Sequence, residues 1–154
     1  MREKTCCFTG HRQLSSEVAE HLRHELDHLL PELYASGYRY FGVGGALGFD
    51  TLAEEAVLDF RRSHPDCKLI LVLPCRDHAA RWRFADRLRF RAIQSQADKT
   101  VCLAEHYYDG CMLARNRHLV DQSSLCVAFC TRTNGGSAYT VRYAEQNGLK
   151  IIRL

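Results

Sequence analysis

The chain has 154 residues, of which 46% are hydrophobic and 25% are charged, and its formal net charge is +3. This composition excludes a wholly disordered chain, because it holds enough apolar residues for a core. The mild net charge does not by itself indicate a nucleic-acid-binding protein. We therefore predict a single domain over residues 1–154.

Six short apolar segments have the length and composition of β-strands. In chain order they are Thr5–Phe8, Tyr38–Val43, Lys68–Leu73, Thr100–Leu103, Leu125–Cys130 and Lys150–Leu154. Helix-length segments separate them, and this alternation predicts a mostly parallel sheet of about six strands with helices on both faces. The expected fold class is α/β, a single Rossmann-like three-layer sandwich.

The first predicted helix runs from about Ser16 to Ala35 and has an apolar stripe along one face. The stripe residues are Val18, Leu22, Leu26, Leu29 and Leu33. His21, His24 and His28 fall together on another face. We interpret that face as solvated, and we predict no metal site in the chain.

The start of the chain, MREKTCCFTGHR, lacks the apolar segment of a secretory signal, and no apolar run is long enough to span a membrane. The eight cysteines include no CxxC pair, and most lie in or beside apolar strand-like segments. We interpret them as buried, reduced thiols. These features predict a cytoplasmic protein that does not bind a membrane.

Three loops that follow predicted strands carry glycine or polar residues. They are Thr9–Arg12 (TGHR), Gly44–Asp50 (GGALGFD) and Asn134–Thr140 (NGGSAYT). The carboxyl ends of parallel strands lie at one edge of a sheet, where ligands bind. Each loop leads into a helix, whose first N–H groups favour an anion. Together the loops predict an anion-holding cleft, although any one glycine turn could be only a tight turn.

The second loop does not match the known phosphate-binding fingerprints. Leu47 stands where the dinucleotide motif G-x-G-x-x-G needs its third glycine, and neither a Walker A loop nor a G-x-S-x-G elbow is present. Asp50 has two interpretations. It caps the following helix, with Thr51 and Glu54 beside it, or it contacts a ligand.

Two later segments are predicted to be helices, and each has polar or charged side chains whose helix face matters for function. In CMLARNRHLVDQSS, Asn116 falls within an apolar face, so it either ties down a loop or lines a pocket. In RWRFADRLRFR, three arginines share one face, with Phe84 and Leu88 expected on the core side. These arginines are Arg83, Arg87 and Arg91. We interpret their face as solvated, with nucleic-acid binding as the alternative.

Five motifs in register resemble the YpsA family of the SLOG superfamily, which includes DprA and the LOG phosphoribohydrolases. They are CCFTGHR, GGALGFD, LPC followed by Trp82, RNRHLVDQS and NGGSAYTVRYA. The resemblance implies a Rossmann-like sheet and a pocket for a nucleotide or nucleotide-derived ligand. The implied ligand-binding residues are Thr9, Gly10, His11, Arg12, Gly44, Gly45, Gly48, Asp50, Arg115, Asn116, Gly135, Gly136, Ser137 and Thr140.

The last loop departs from the pattern P-G-G-x-G-T-x-x-E that LOG enzymes carry. Arg142 stands where that pattern has its glutamate, so the resemblance leaves enzymatic activity open. His11 and Asp50 are the candidate catalytic residues if a reaction occurs.

The three loops and the resemblance together favour a protein that binds a nucleotide or an ADP-ribose-like ligand, and the resemblance permits the role of a non-enzymatic sensor or regulator. Its charged clamps would be Arg12 and Arg115, and we expect Arg12→Ala and Gly45→Val to abolish binding without disturbing the fold. No cofactor is indicated, and a homodimer is possible. The alternatives are a LOG-like nucleoside monophosphate N-glycosidase and a DprA-like single-stranded DNA binder that uses Arg83, Arg87 and Arg91.

Overall fold

The computed structural model describes residues Met1 to Leu154. After a short 3₁₀ turn at Arg2–Lys4, strands and helices alternate along the whole chain. The strands are β1 (Thr5–Gly10), β2 (Tyr40–Val43), β3 (Lys68–Leu73), β4 (Lys99–Cys102), β5 (Leu125–Phe129) and β6 (Lys150–Arg153). The helices are α1 (Ser16–Ala35), α2 (Phe49–Arg61), α3 (Phe84–Gln96), α4 (Cys111–Asp121) and α5 (Gly136–Gln146).

The six strands form one sheet in the order β4-β3-β2-β1-β5-β6, and every neighbouring pair is parallel. The predicted α/β, Rossmann-like fold class is therefore confirmed, with a sheet that is parallel throughout. β1 lies in the middle, where Cys7 is in register with Gly42 of β2 and with Cys126 of β5. No helix is both long enough and apolar enough to cross a membrane.

The helices form two unequal layers. The chain moves from β1 to β4 in one direction, and right-handed crossovers place α1, α2 and α3 on one face of the sheet. The return to β5 places α4 and α5 on the opposite face. The core under the first three helices contains 22 buried residues, whereas the core under α4 and α5 contains nine.

Helix α1 has the predicted bounds, because its start is capped by Ser15, whose Oγ accepts the Val18 N–H at 3.2 Å. Four of the five predicted stripe residues are buried, and the three histidines lie exposed as predicted. The prediction for Val18 is wrong, since its side chain is 37% exposed. It lies in the first turn of the helix, one turn before the stripe reaches the core at Leu22.

The predicted inward face of α3 is also wrong. Phe84 and Leu88 are exposed, and Phe90 and Ile93 are buried instead. Phe84 is the first residue of the helix, so the helix packs on the core through its second half. Its low share of apolar residues left the orientation of the helix undetermined by sequence.

All eight cysteines are unpaired, as predicted. Six of them are buried: Cys6, Cys7, Cys67, Cys75, Cys111 and Cys126. Cys102 is exposed and Cys130 is half-buried, against prediction. Cys102 ends β4, which is an edge strand, and Cys130 follows the end of β5.

Candidate ligand-binding cleft

A cleft of about 440 Å³ opens at the carboxyl ends of β1 and β5. These two strands are neighbours in the sheet, but the connections that leave them run to opposite sides. In open α/β sheets, the crevice at such a reversal is the usual place for a ligand. The topology alone therefore selects this cleft as the candidate site.

Ten of the fourteen predicted ligand-binding residues line the cleft. They are Thr9, Gly10, His11, Arg12, Asp50, Arg115, Asn116, Gly135, Gly136 and Ser137. The other four, Gly44, Gly45, Gly48 and Thr140, lie behind the lining. Sequence reasoning did not single out Gln13, Leu113 and Arg132, which also line the cleft.

The first loop is fixed on both sides by His11. Its carbonyl oxygen accepts the Phe49 N–H at 3.0 Å, and its Nε2 accepts the Thr131 N–H at 2.9 Å. Burial, assisted by the charge of Arg132, lowers the pKa of His11 and favours the neutral ring that this second bond requires. His11 therefore acts as a tie between the loops after β1 and β5, with its Nε2 already engaged.

Arg12 and Arg132 provide the accessible positive charge of the cleft. Both are exposed residues that line it, and the guanidinium of Arg12 contacts the sulfur of Met112. A thioether is a weak acceptor, so this contact leaves the guanidinium able to bind an anion. The planar, forked donor set of arginine suits a phosphate or carboxylate group.

The second loop folds around the side chains that follow it. Oδ2 of Asp50 accepts the Ala46 N–H at 3.1 Å, and Oγ1 of Thr51 donates to the Ala46 carbonyl oxygen at 3.2 Å. The N-cap of α2 is Gly48, so the interpretation of Asp50 as the cap is wrong. Burial raises the pKa of Asp50, and the positive charge of Arg115 opposes that rise. Asp50 braces the loop while its carboxyl also faces the cleft.

Arg115 is the most deeply buried arginine of the site, with 4% of its surface exposed. Its Nη1 donates to the carbonyl oxygen of Gly44, and its Nε donates to Oδ1 of Asn116 at 2.7 Å. A Cβ on Gly44 would lie 2.7 Å from this guanidinium, which explains the glycine. Asn116, predicted to be buried, is half-buried and serves as a partner of Arg115. The burial of Arg115 was missed, although Cys111 and Leu119 flank it at helical spacing.

Glu54 lies beneath the second loop and is fully buried, and neither carboxylate oxygen has a hydrogen-bond partner. Burial, with the charge of Asp50 as a lesser cause, raises the pKa of Glu54 well above its ordinary value. The protonated form is therefore favoured. The sequence contained a signal for the burial of Glu54, because Ala53 and Val57 lie on the same buried side of α2.

The last loop presents the start of α5 to the cleft. Gly135 is the N-cap, with a φ of 93°, and the first turn of α5 contains no acidic residue. Thr140 donates its Oγ1 proton to the Gly136 carbonyl oxygen at 2.8 Å, so it supports the helix from behind. Arg142 donates to the Thr133 carbonyl oxygen at 3.0 Å and steadies the same loop. The helix start thus offers unopposed N–H groups to a negative group.

Residues 6–151 match the sequence model of the YspA SLOG family, YpsA. The chain belongs to this family. It is 26% identical to a UPF0398 protein of Halalkalibacterium halodurans over 117 residues, which cover 74% of this chain and 62% of that protein. It is 29% identical to a UPF0398 protein of Staphylococcus epidermidis over 118 residues, which cover 70% and 61%. The chain thus spans about three fifths of the length of these relatives.

A relative of closer length is the SPbeta prophage-derived protein YoqJ of Bacillus subtilis. The two are 24% identical over 141 residues, which cover 83% of this chain and 82% of YoqJ. Two solved structures share the fold at 20% identity. DNA processing protein A of Streptococcus pneumoniae has a TM-score of 0.69 over 98% of this chain and 50% of its own. DNA processing protein A of Helicobacter pylori, whose structure concerns its binding of single-stranded DNA, has a TM-score of 0.64 over 97% of this chain and 64% of its own.

Proposed function

We propose that this chain binds a nucleotide or nucleotide-derived phosphate ligand in the cleft between β1 and β5, and that it acts as a non-enzymatic sensor or regulator. The observation that carries the proposal is the meeting of the α5 N-terminus with the guanidinium groups of Arg12 and Arg132. Free N–H groups, a helix dipole and forked cations at one place are the usual means of holding phosphate.

The roles of the arginines at the cleft differ from the sequence-based expectation, which had Arg12 and Arg115 as the two charged clamps. Arg12 is an accessible clamp, but Arg115 is buried and bonded to Gly44, so it supports the second loop. Arg132 takes the place of Arg115 as the second accessible cation. The negative ligand would therefore sit between the loops that follow β1 and β5.

Binding without turnover is favoured by the state of the two candidate catalytic residues. His11 uses Nε2 to accept the Thr131 N–H, and Asp50 accepts the Ala46 N–H. The position of the LOG glutamate holds Arg142, which bonds to Thr133. A free general base is therefore missing at the positions of His11 and Arg142, and Asp50 has only its Oδ1 unbonded, so N-glycosidase activity is the weaker proposal.

The test is a calorimetric and thermal-shift titration of nucleoside mono-, di- and triphosphates, ADP-ribose and NAD, with product analysis of every stabilising ligand. Arg12→Ala should weaken binding about tenfold or more, since a charge-assisted hydrogen bond is lost. Arg62→Ala, an exposed arginine at the far end of α2, is the matched control. Equal affinity in both variants would refute the site, and free base among the products would restore the glycosidase.

Gly45→Val is not a suitable pocket variant, contrary to the expectation from sequence. Gly45 has a φ of 72°, and a Cβ there would lie 2.5 Å from Cδ2 of Leu73, so the fold would be disturbed. Gly136→Val is the better choice. Gly136 lines the cleft, and a Cβ on it would meet no atom within 4 Å. This substitution should block the ligand while preserving thermal stability.

Single-stranded nucleic acid is the second candidate ligand, favoured by the fold shared with the Helicobacter pylori protein. Of the three arginines in the sequence-based alternative, Arg83 at the N-cap of α3 and Arg91 are exposed, whereas Arg87 is half-buried. This function predicts an affinity for labelled oligonucleotides that falls steeply with salt, because counterions are released on binding. The combined replacement of Arg83, Arg87 and Arg91 by alanine should reduce that affinity. An unchanged affinity would exclude α3 as the DNA-binding face.

A further inference from the structure

A second cavity of about 540 Å³ adjoins the cleft, and the ligand of the proposed function does not occupy it. It lies between the start of α2, the start of α3 and the loop after β1. Arg12 and Gln13 line both spaces, so they form a ridge between them. Each volume falls in the range of about 300–1,000 Å³ that is typical of ligand pockets.

The backbone of the ridge is held rigidly. The Phe49 N–H donates to the carbonyl oxygen of His11 at 3.0 Å, immediately before the ridge. Gly48 has a φ of 78°, and a Cβ on it would lie 2.3 Å from the carbonyl oxygen of Arg12. The start of α2 therefore packs directly against the ridge and fixes the Arg12 backbone at the boundary between the two cavities.

Trp82 gives the second cavity an aromatic wall. Its ring contacts His78 and Phe90 in edge-to-face geometry, with centroid distances of 5.2 and 5.7 Å. These contacts hold the indole, and it remains half-buried and lines the cavity. An aromatic face fixed in this way can stack on any nucleobase.

The charged groups around Trp82 complete the chemistry. Arg83 is exposed at the N-cap of α3 and lines the cavity, and Asp86 in the first turn lines it as well. Arg89 is also present, but its guanidinium is bonded to Glu55 at 2.8 Å. Besides Arg12, the cavity thus offers a stacking surface, one further accessible cation and one carboxylate that can accept from a base amine.

We propose that the ligand consists of two nucleoside units joined through phosphate, with the linking phosphate at Arg12 and the second base stacked on Trp82. This inference rests on the proposed function, since the first unit occupies the cleft. It adds the second cavity as a binding subsite and makes ligand length a determinant of affinity.

The experiment compares mononucleotides with two-unit ligands by calorimetry. The probes are the four nucleoside 5′-monophosphates, the matching 3′–5′ dinucleotides with a 5′-phosphate, and the matching pyrophosphate-linked dinucleosides. They are titrated into the wild-type chain, Trp82→Leu, Trp82→Phe and Phe84→Ala. Phe84 is the matched control, because it is an exposed aromatic residue two positions away that lines neither cavity.

We expect a two-unit ligand to bind about tenfold or more tightly than its mononucleotide, the value of one stacked base. Trp82→Leu should abolish that gain and leave mononucleotide affinity unchanged, Trp82→Phe should restore most of it, and Phe84→Ala should have no effect. The linkage that shows the gain distinguishes a nucleic-acid fragment from a pyrophosphate-linked ligand.

Two results would overturn the inference, and they are distinguishable. If mononucleotides bind but two-unit ligands gain nothing, or gain equally in Trp82→Leu, the second cavity is not a subsite and the proposed function survives. If no nucleotide of either length binds, the proposed function and the subsite both fail. Thermal unfolding of each variant shows whether a lost gain reflects lost packing of Trp82 on Phe90.

Discussion

Arg115 donates from its buried guanidinium to the carbonyl oxygen of Gly44, a residue 71 positions earlier in the chain. This bond joins α4, on one face of the sheet, to the loop that follows β2. The loop's own bonds to Asp50 and Thr51 hold only its local shape. Arg115 therefore holds the loop in place relative to the cleft, together with the His78 ring, which contacts the Gly45 carbonyl oxygen at 3.1 Å, and the Phe49 bond to His11.

Replacing Arg115 by methionine should lower the free energy of unfolding by about 3 kcal/mol, because the Gly44 carbonyl loses its donor and Asp50 loses its nearby cation. Urea denaturation measures the loss. Arg117→Met is the control, since Arg117 is half-buried and donates to the Tyr139 hydroxyl at 3.1 Å. It should cost less than about 1 kcal/mol. Equal losses in the two variants would contradict the role of Arg115.

Glu54 should make the protein less stable as the pH rises. Its pKa is raised in the folded chain, so the folded state holds the proton more firmly than the unfolded state does. This contribution is complete below about pH 4.3, the ordinary value of a glutamate, and is lost as the pH passes the raised value. Glu54→Gln does not titrate at this position, so its stability relative to wild type should increase with pH.

Urea denaturation of wild type and Glu54→Gln between pH 4 and pH 8 measures this difference. Glu17→Gln, in the exposed first turn of α1, controls for the loss of a negative charge. A Glu54→Gln curve that runs parallel to wild type at all pH values would show that Glu54 keeps its ordinary titration in the folded protein.

Gly48→Ala should be more destabilising than Gly37→Ala by about 2 kcal/mol, the cost of forcing an atom into filled space. Both glycines have positive φ, 78° and 102°, so both substitutions carry backbone strain. A Cβ at position 37 meets nothing within 4 Å, whereas one at position 48 meets the Arg12 carbonyl oxygen at 2.3 Å. Chemical denaturation of the pair isolates the steric part. Similar losses would mean that the ridge yields easily.

The link between His11 and Thr131 should weaken on acidification. The pKa of His11 is lowered, so its neutral ring contributes stability above about pH 6.5, and this is lost as the pH falls toward the lowered value. Protonation removes the acceptor of the Thr131 N–H. Protection of the Thr131 amide against hydrogen exchange should therefore fall between pH 7.5 and pH 5.5.

The Phe49 amide is the internal control for this exchange experiment, because it donates to the backbone oxygen of His11 and not to its ring. Its protection factor should stay constant over the same pH range. A parallel fall at both amides would indicate general loosening of the first loop instead of titration of His11.

Local patterns in the sequence predicted the features that depend on neighbouring residues. The bounds of α1 follow from the Ser15 cap and the leucine stripe, and the strand alternation led directly to a parallel sheet. The loops that carry Thr9, Asp50 and Gly136 were expected at one edge and do meet at one cleft. The positions of these loops follow from strand order, which the alternation limits strongly.

Features that depend on distant partners could not be predicted in the same way. The helical spacing of Cys111, Arg115 and Leu119 indicates an inward position for Arg115, but nothing in that helix identifies the distant Gly44 carbonyl oxygen that accepts its hydrogen bond. The inward side of α3 depends on the later half of a helix with few apolar residues. The cavity beside Trp82 forms where three separate elements meet, so no single sequence motif could predict it.

The bond between His11 and Thr131 also has a consequence for the order of folding, because its two residues are 120 positions apart. The strands β1 to β4 can pair in sequence as the chain leaves the ribosome. β5 then pairs with the free edge of β1, after four strands and the helices between them have been synthesised. The cleft is thus completed only after β5 and α5 have been synthesised, so a nascent chain stalled before α5 would have five of the six strands but would lack the helix start that offers N–H groups to an anion.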